Sequence, residues 1–309
     1  MRLLLLGCTG FIGSELVPKL LASGNHLTII TRKELPRWFD PLDNQTILHI
    51  QTDPSNPESW KEEKLINALE KAEGVINLAG EPIAEKRWTT SHCKKIEQSR
   101  CGTTQYLVNA MSNLKKAPKF LLSASAIGYY GTSQSESFTE DSGPGDDFLS
   151  KLCQKWETLA KEKPRSTRLV LLRIGIVLEA NGGALSKMLP VFRAGFGGPI
   201  GNGKQWMSWI HRSDLCKIIE KSISYTKWEG IINAVAPNPV LMSDFSDTLG
   251  RTLGRPSLFP VPGPLLKLLL GDGAKVVLEG QKVISKQLNT FKFEYPDLEK
   301  SLEAITSRD

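Results

Sequence analysis

The chain has 309 residues, 40% of them hydrophobic and 23% charged, with 39 basic against 33 acidic side chains for a formal net charge of +6. That length and balance exclude a disordered or collagen-like chain and leave room for one large α/β unit or two modest domains. The basic excess is dispersed, and its densest group, Lys115, Lys116 and Lys119, is too short for a nucleic-acid patch.

The order of elements is α/β. Residues 2–6 read as a first strand, followed at once by Gly7 and a helix over 11–23. A β-branched strand at 26–31, a third strand at 46–52, a helix at 59–72 and a buried strand at 74–78 follow. A long helix is expected over 91–113, then a strand at 120–124, an acidic loop at 140–147 and a helix at 148–161. The run 168–178 is nearly all apolar and reads as one central strand. Residues 182–203 are glycine-rich with a short helix, and 231–235 read as one more strand. Short apolar strands alternating with helices predict a Rossmann-type doubly wound parallel sheet. The boundaries expected are a nucleotide-binding unit over 1–236 and a smaller C-terminal substrate lobe over 237–309, with 180–207 contributing to that lobe.

Five scattered cysteines, Cys8, Cys93, Cys101, Cys153 and Cys216, make no CxxC pair and no metal-ligand spacing. Reduced thiols in a cytoplasmic compartment and no bound metal are the expectation. The apolar runs 3–6 and 264–270 fall short of a membrane span, so neither a membrane nor a nucleic-acid partner is expected.

The strongest motif is Gly7-Cys8-Thr9-Gly10-Phe11-Ile12-Gly13, which closes a strand and opens a helix. Gly7 allows the tight turn, Gly10 lets a pyrophosphate approach the helix N-terminus, and Gly13 lets helix pack on strand. The second strand ends Thr31-Arg32-Lys33, with no carboxylate before Glu34. An acidic residue there would hold a ribose 2′-hydroxyl, whereas Thr31 and Arg32 suit a 2′-phosphate, so NADP(H) is expected over NAD(H). Leu78-Ala79-Gly80 supplies small residues where a bound dinucleotide needs room.

With these segments in view, the chain resembles the extended short-chain dehydrogenase/reductases of the NAD-dependent epimerase/dehydratase group. It is most similar to an atypical epimerase-like subfamily with an extra C-terminal domain, some members of which are labelled cell-division inhibitors. The marks are GCTGFIGSELV, NLAGEPIAEKRW, SRCGTTQYLV, SASAIGYYG, RIGIVL, GGPIGNGKQWMSWIHRSDL, GDGAKVVLEGQKVI and FKFEYPDL. The resemblance implies NADP contacts from Thr31, Arg32, Leu78, Ala79, Arg100 and the backbone near Val177, and a possible homodimer. Arg100 has a second reading as a solvent-facing helix charge.

Active members of the superfamily use a Ser or Thr with a Tyr and Lys spaced YxxxK on one helical face. Here Leu149 and Cys153 fall at the Tyr and Lys positions, and no register restores the pair. Ser125, Tyr129 and Tyr130 remain as candidate catalytic groups, the tyrosines with aromatic packing under Gly128 and Gly131 as their alternative. Trp88, Trp206, Trp209 and His211 are candidates for a substrate pocket, against core packing for the tryptophans and a structural hydrogen bond for His211. Asp214 reads as the cap of the next helix. Two functions stay open: an epimerase-like oxidoreductase acting on a small molecule, or a non-catalytic NADP(H)-binding protein acting on a regulatory partner.

Overall fold

The computed structural model describes residues 1–40, 42 and 46–307; the last two residues of the expected C-terminal lobe lie outside them. The chain opens β1 (Arg2–Leu6), α1 (Gly13–Ala22), β2 (His26–Thr31) and β3 (Ile47–Gln51). It continues α2 (Glu63–Lys71), β4 (Gly74–Asn77), α3 (Thr90–Glu97), α4 (Thr103–Ser112), β5 (Phe120–Ala126), β6 (Ser137–Phe138) and α5 (Phe148–Lys161). β1 shows why its run is uninterrupted. Leu3 and Leu5 enter the core under α1, while Leu4 and Leu6 enter the core under α2 and α4, so both faces are buried.

Two expected helices are interrupted. The segment 59–72 begins as a 3-10 turn at Pro57–Lys61 and restarts after Glu62, whose backbone is extended (φ −69°, ψ 122°). The long helix of 91–113 carries a π turn at Gln98–Gly102 between α3 and α4.

The second half runs β7 (Arg168–Ile174), β8 (Ile176–Leu178), α6 (Gly183–Arg193), β9 (Trp206–Met207), β10 (Trp209–His211), α7 (Arg212–Ser224) and β11 (Gly230–Ala234). It ends β12 (Val240–Leu241), α8 (Met242–Leu253), α9 (Gly263–Leu270), α10 (Lys275–Leu278), β13 (Lys282–Val283) and α11 (Leu298–Thr306). The single strand expected over 168–178 is two strands. At Gly175 the chain leaves the sheet, and β8 pairs instead with β10. A Cβ on Gly175 would lie 2.5 Å from the Ser208 carbonyl oxygen, so the crossing needs glycine.

Among the described residues seven parallel strands form the main sheet, in the order β11-β7-β5-β4-β1-β2-β3. The order reverses between β1 and β4, whose ends meet at Leu6 and Asn77. Ligands of open α/β sheets sit beyond the carboxyl ends of strands at such a switch point. The residues after 236 divide their packing: α8 and α11 share a core with Leu185, Leu189 and Phe192 of α6, while Leu288 joins the core beneath α7.

Candidate functional site

At the switch point lies a cleft of about 390 Å³ lined by Gly7, Thr9 and Gly10 after β1, Thr31 and Arg32 after β2, and Leu78, Ala79 and Gly80 after β4. Each glycine of the first loop has its own cause. Gly7 has φ +73°, and a Cβ on it would meet the Ala79 backbone nitrogen at 2.5 Å. A Cβ on Gly13 would lie 1.8 Å from the Cys8 carbonyl oxygen. A Cβ on Gly10 would meet nothing within 4 Å, so the space above Gly10 belongs to the cleft. Phe11 and Ile12 face away from it, Phe11 against Gly182 and Gly183 and Ile12 in the core under α1.

The charged lining of the cleft is mixed, with Arg32 and Lys33 beside Glu34, Asp53 and Glu81. Arg32 stands at its mouth, half in solvent, with a loose 3.7 Å approach to the Glu81 carboxylate. Asp53 also lines the cleft, but one of its oxygens accepts from the Ser55 backbone N–H (2.9 Å) and hydroxyl (2.8 Å). The β4 loop is held by the π turn. Ser99 Oγ accepts from the Glu81 N–H at 2.9 Å, and Arg100 Nη1 donates to the Glu81 carbonyl at 2.8 Å. Arg100 therefore braces the loop from behind, against Gly80 and over the Trp156 ring at 5.5 Å. A π turn presents successive side chains where an α turn would rotate one away. Val177 sits in β8 opposite Ile210, its carbonyl close to Gly183.

Within the last residues of β5, β7 and β11 begins a buried polar chain. Ser125 Oγ donates to Glu157 at 2.7 Å, and Glu157 takes two 2.8 Å hydrogen bonds from Arg173. Arg173 also donates to the Tyr130 hydroxyl at 2.8 Å, which itself donates to Asn233 at 2.7 Å. Burial works against the charge on Arg173, but the Glu157 contacts outweigh it and hold the guanidinium protonated. Burial raises the Tyr130 phenol, with Arg173 opposing. Ser125 and Tyr130 are thus fully engaged in structure. Tyr129 differs: its half-buried ring lies under the Arg173 guanidinium at 3.4 Å, and its hydroxyl takes no part in these bonds. On α5, Leu149 packs near Gly128, and burial pushes the Cys153 thiol up to about 12, so it neither replaces a lysine nor acts as a nucleophile at neutral pH.

The four pocket candidates are dispersed. Trp88 meets the C-terminal segment, with its N–H donating to Ile83 and its ring against Gly273. Trp206 donates to the Gln134 carbonyl and lies under the Lys282 ammonium. Trp209 is fully buried among Leu185, Phe245 and Leu302 and donates to the Asn238 carbonyl, so it packs the core and walls no pocket. His211 is fully buried, stacked on Tyr295, with Nδ1 accepting from the Ser213 N–H at 3.0 Å. His211 therefore caps α7. Asp214, expected as that cap, instead accepts the backbone N–H groups of Glu294 and Tyr295 and ties the C-terminal segment to α7.

Two residues that organise this region lie inside the resemblance segments RIGIVL and GGPIGNGKQWMSWIHRSDL but drew no role from the sequence. Arg212 reaches Glu15 at 2.9 Å, Glu179 at 3.1 Å, Asn181 at 2.7 Å and the Phe11 carbonyl at 3.3 Å, joining α7 to the first turn of α1. Arg173 is the other. A charge inside an apolar strand announces a buried partner, and Glu157 on the preceding helix is that partner.

Residues 3–233 match the NAD dependent epimerase/dehydratase family, and residues 261–305 match a domain of unknown function (DUF1731). The chain is 40% identical over 306 residues to an Arabidopsis thaliana protein named as a chloroplastic homolog of epimerase family protein SDR39U1, covering 97% of this chain and 85% of that one. It is 35% identical to epimerase family protein SDR39U1 of Homo sapiens, covering 99% of this chain and all of the human one. A crystal structure of the human protein with NADPH superposes with a TM-score of 0.88 at 34% identity over the whole of both chains. The chain belongs to the NAD dependent epimerase/dehydratase family, with the DUF1731 domain at its C-terminus.

Proposed function

We propose that this chain binds NADP(H) in the cleft between β1 and β4 and serves as an epimerase-like oxidoreductase for a small-molecule substrate. The observation that carries the reading is the space above Gly10 together with Thr31 and Arg32 at the end of β2, where the first carboxylate is Glu34. The pyrophosphate belongs over Gly10 at the start of α1, and the 2′-phosphate between Thr31 and Arg32. Bound NADP(H) supplies hydride chemistry beyond the ends of β4 and β5. This chain's own contribution is the framing of that space by Ala79, Gly80 and the Ser125–Glu157–Arg173 chain, with the Tyr129 hydroxyl as the group for moving a proton. The human relative crystallised with NADPH supports the cofactor assignment. The scattered cysteines agree with a reducing, cytoplasmic setting.

One observation favours a second reading. Leu149 and Cys153 stand where the superfamily's proton relay stands, which fits a non-catalytic NADP(H)-binding regulator, in cell or plastid division for instance.

The deciding experiment is a fluorescence titration with NADPH and NADH, wild type against Arg32→Ala. A 2′-phosphate held by Arg32 makes NADPH tighter by about 1.5–3 kcal/mol, and the preference disappears in the variant. Equal, weak binding of both nucleotides by the wild type sinks the proposal.

A further inference from the structure

Seven large apolar side chains stand in solvent on one face: Val191 and Phe196 at the end of α6, Leu258 and Phe259, and Leu265, Leu268 and Leu269 of α9, with exposures from 44% to 76%. The first four sit together, and the three α9 leucines, spaced i, i+3 and i+4, share one side of the helix that follows them. The Phe196 and Phe259 rings are 5.9 Å apart, the Phe259 N–H donates to Gly197, and the Val261 N–H donates to Pro199. α9 follows two residues later, and it contains no buried residue. Only Gly263, Leu266 and Leu270 of the helix are partly covered, and its end is tied to the loop after β4 by Arg87, which donates to the Leu268 carbonyl at 2.9 Å, and by the Trp88 backbone N–H, which donates to the Leu270 carbonyl at 3.1 Å. Soluble surfaces seldom leave such a patch without a use.

The two chain segments that carry the patch are charged mainly with one sign, although Asp247 beside them accepts from the Ser257 hydroxyl at 2.6 Å. Segments 183–204 and 255–278 carry six cations, Lys187, Arg193, Lys204, Arg255, Lys267 and Lys275, all exposed, against one carboxylate, Asp272. That is a net +5 of the chain's +6. Leucine and phenylalanine interleaved with lysine and arginine on an exposed two-turn helix match the interfacial zone of an anionic bilayer, where the apolar groups enter the acyl boundary and the cations meet phosphates. No helix among the described residues is long and apolar enough to cross a membrane, and lying on the surface needs no such length. A second copy fits the face poorly, because a two-fold contact sets this cationic patch against the same patch of the other copy.

We infer that this face docks the protein on an anionic lipid surface, with α9 lying in the plane of the headgroups. The test is flotation of the full chain with vesicles of phosphatidylglycerol mixed with phosphatidylcholine, and with phosphatidylcholine alone. The protein is expected to float with the anionic vesicles only, and less as salt is raised. Lys267→Ala and Lys275→Ala each lower partitioning about fivefold, and Leu268→Glu with Leu269→Glu abolishes it. Every one of these side chains is exposed, so unchanged melting temperatures separate lost docking from lost folding. A wild-type chain that ignores anionic vesicles overturns the inference. If that chain is a dimer dissociated by Leu268→Glu with Leu269→Glu, the face belongs to a second copy. If it is a monomer, the face belongs to a protein partner.

Discussion

Glu157 on α5 and Arg173 on β7 meet through two 2.8 Å hydrogen bonds with both side chains only 1% exposed. The pair clamps helix to sheet one turn beyond Cys153, and it draws Ser125 and Tyr130 into the same chain. A buried ion pair stripped of one member leaves the other charge desolvated, which costs about 3–5 kcal/mol. Glu157→Gln is therefore expected to lower unfolding free energy by several kcal/mol in denaturant titration. Glu157→Leu with Arg173→Leu should recover part of the loss. A neutral effect of Glu157→Gln would mean that the charge on Glu157 is immaterial.

The glycine loop yields a paired prediction. Gly10→Ala introduces a methyl into open space and is expected to change stability by no more than about 0.5 kcal/mol while removing NADPH binding. Gly13→Ala drives a methyl into the Cys8 carbonyl and is expected to destabilise by about 3 kcal/mol. Thermal melts and nucleotide titration of the two variants check both halves. A Gly10→Ala protein that binds NADPH normally removes the pyrophosphate from that place.

What the sequence made legible followed from local rules. Arg2–Leu6 ending in glycines, the helix behind them and the basic end of β2 are one short stretch of chain with one explanation, and the cleft forms there. Long-range pairing was not legible. An apolar run at 168–178 shows no period that marks where it leaves the sheet, and only the approach of Ser208 to Gly175 reveals it. Trp209 has the composition of a pocket wall and of a core alike, and three-dimensional neighbours decide for the core. His211 and Asp214 both suit a helix start, and the N–H groups of Glu294 and Tyr295, distant in sequence, claimed the aspartate.

Alkaline pH should expose the buried thiols. Burial raises Cys8 and Cys153 from 9.0 to about 12 each. The folded state then holds protons that the unfolded state releases, so the stabilisation is complete below pH 9 and is lost as pH rises toward 12. The slope is about 1.4 kcal/mol per pH unit for each thiol. Denaturant midpoints at neutral pH and near pH 10 measure it, and Cys153→Ala should flatten the decline. An identical decline in that variant excludes this thiol as a source.

Arg212 couples stability to the cofactor loop. Its guanidinium lies between the carboxylates of Glu15 and Glu179 and donates to the Phe11 carbonyl, so it both neutralises two acids and fixes the entry to α1. Arg212→Met removes the cation from both carboxylates and leaves Glu15 only Lys19 at 3.5 Å, at a loss of about 3 kcal/mol. NADPH affinity should fall as well, because the loop over Gly10 loses its anchor. Arg212→Lys keeps the charge but not the fork, and is expected to restore stability more fully than the affinity. A variant that melts with the wild type and binds NADPH equally well would show that the first turn of α1 holds its place without Arg212.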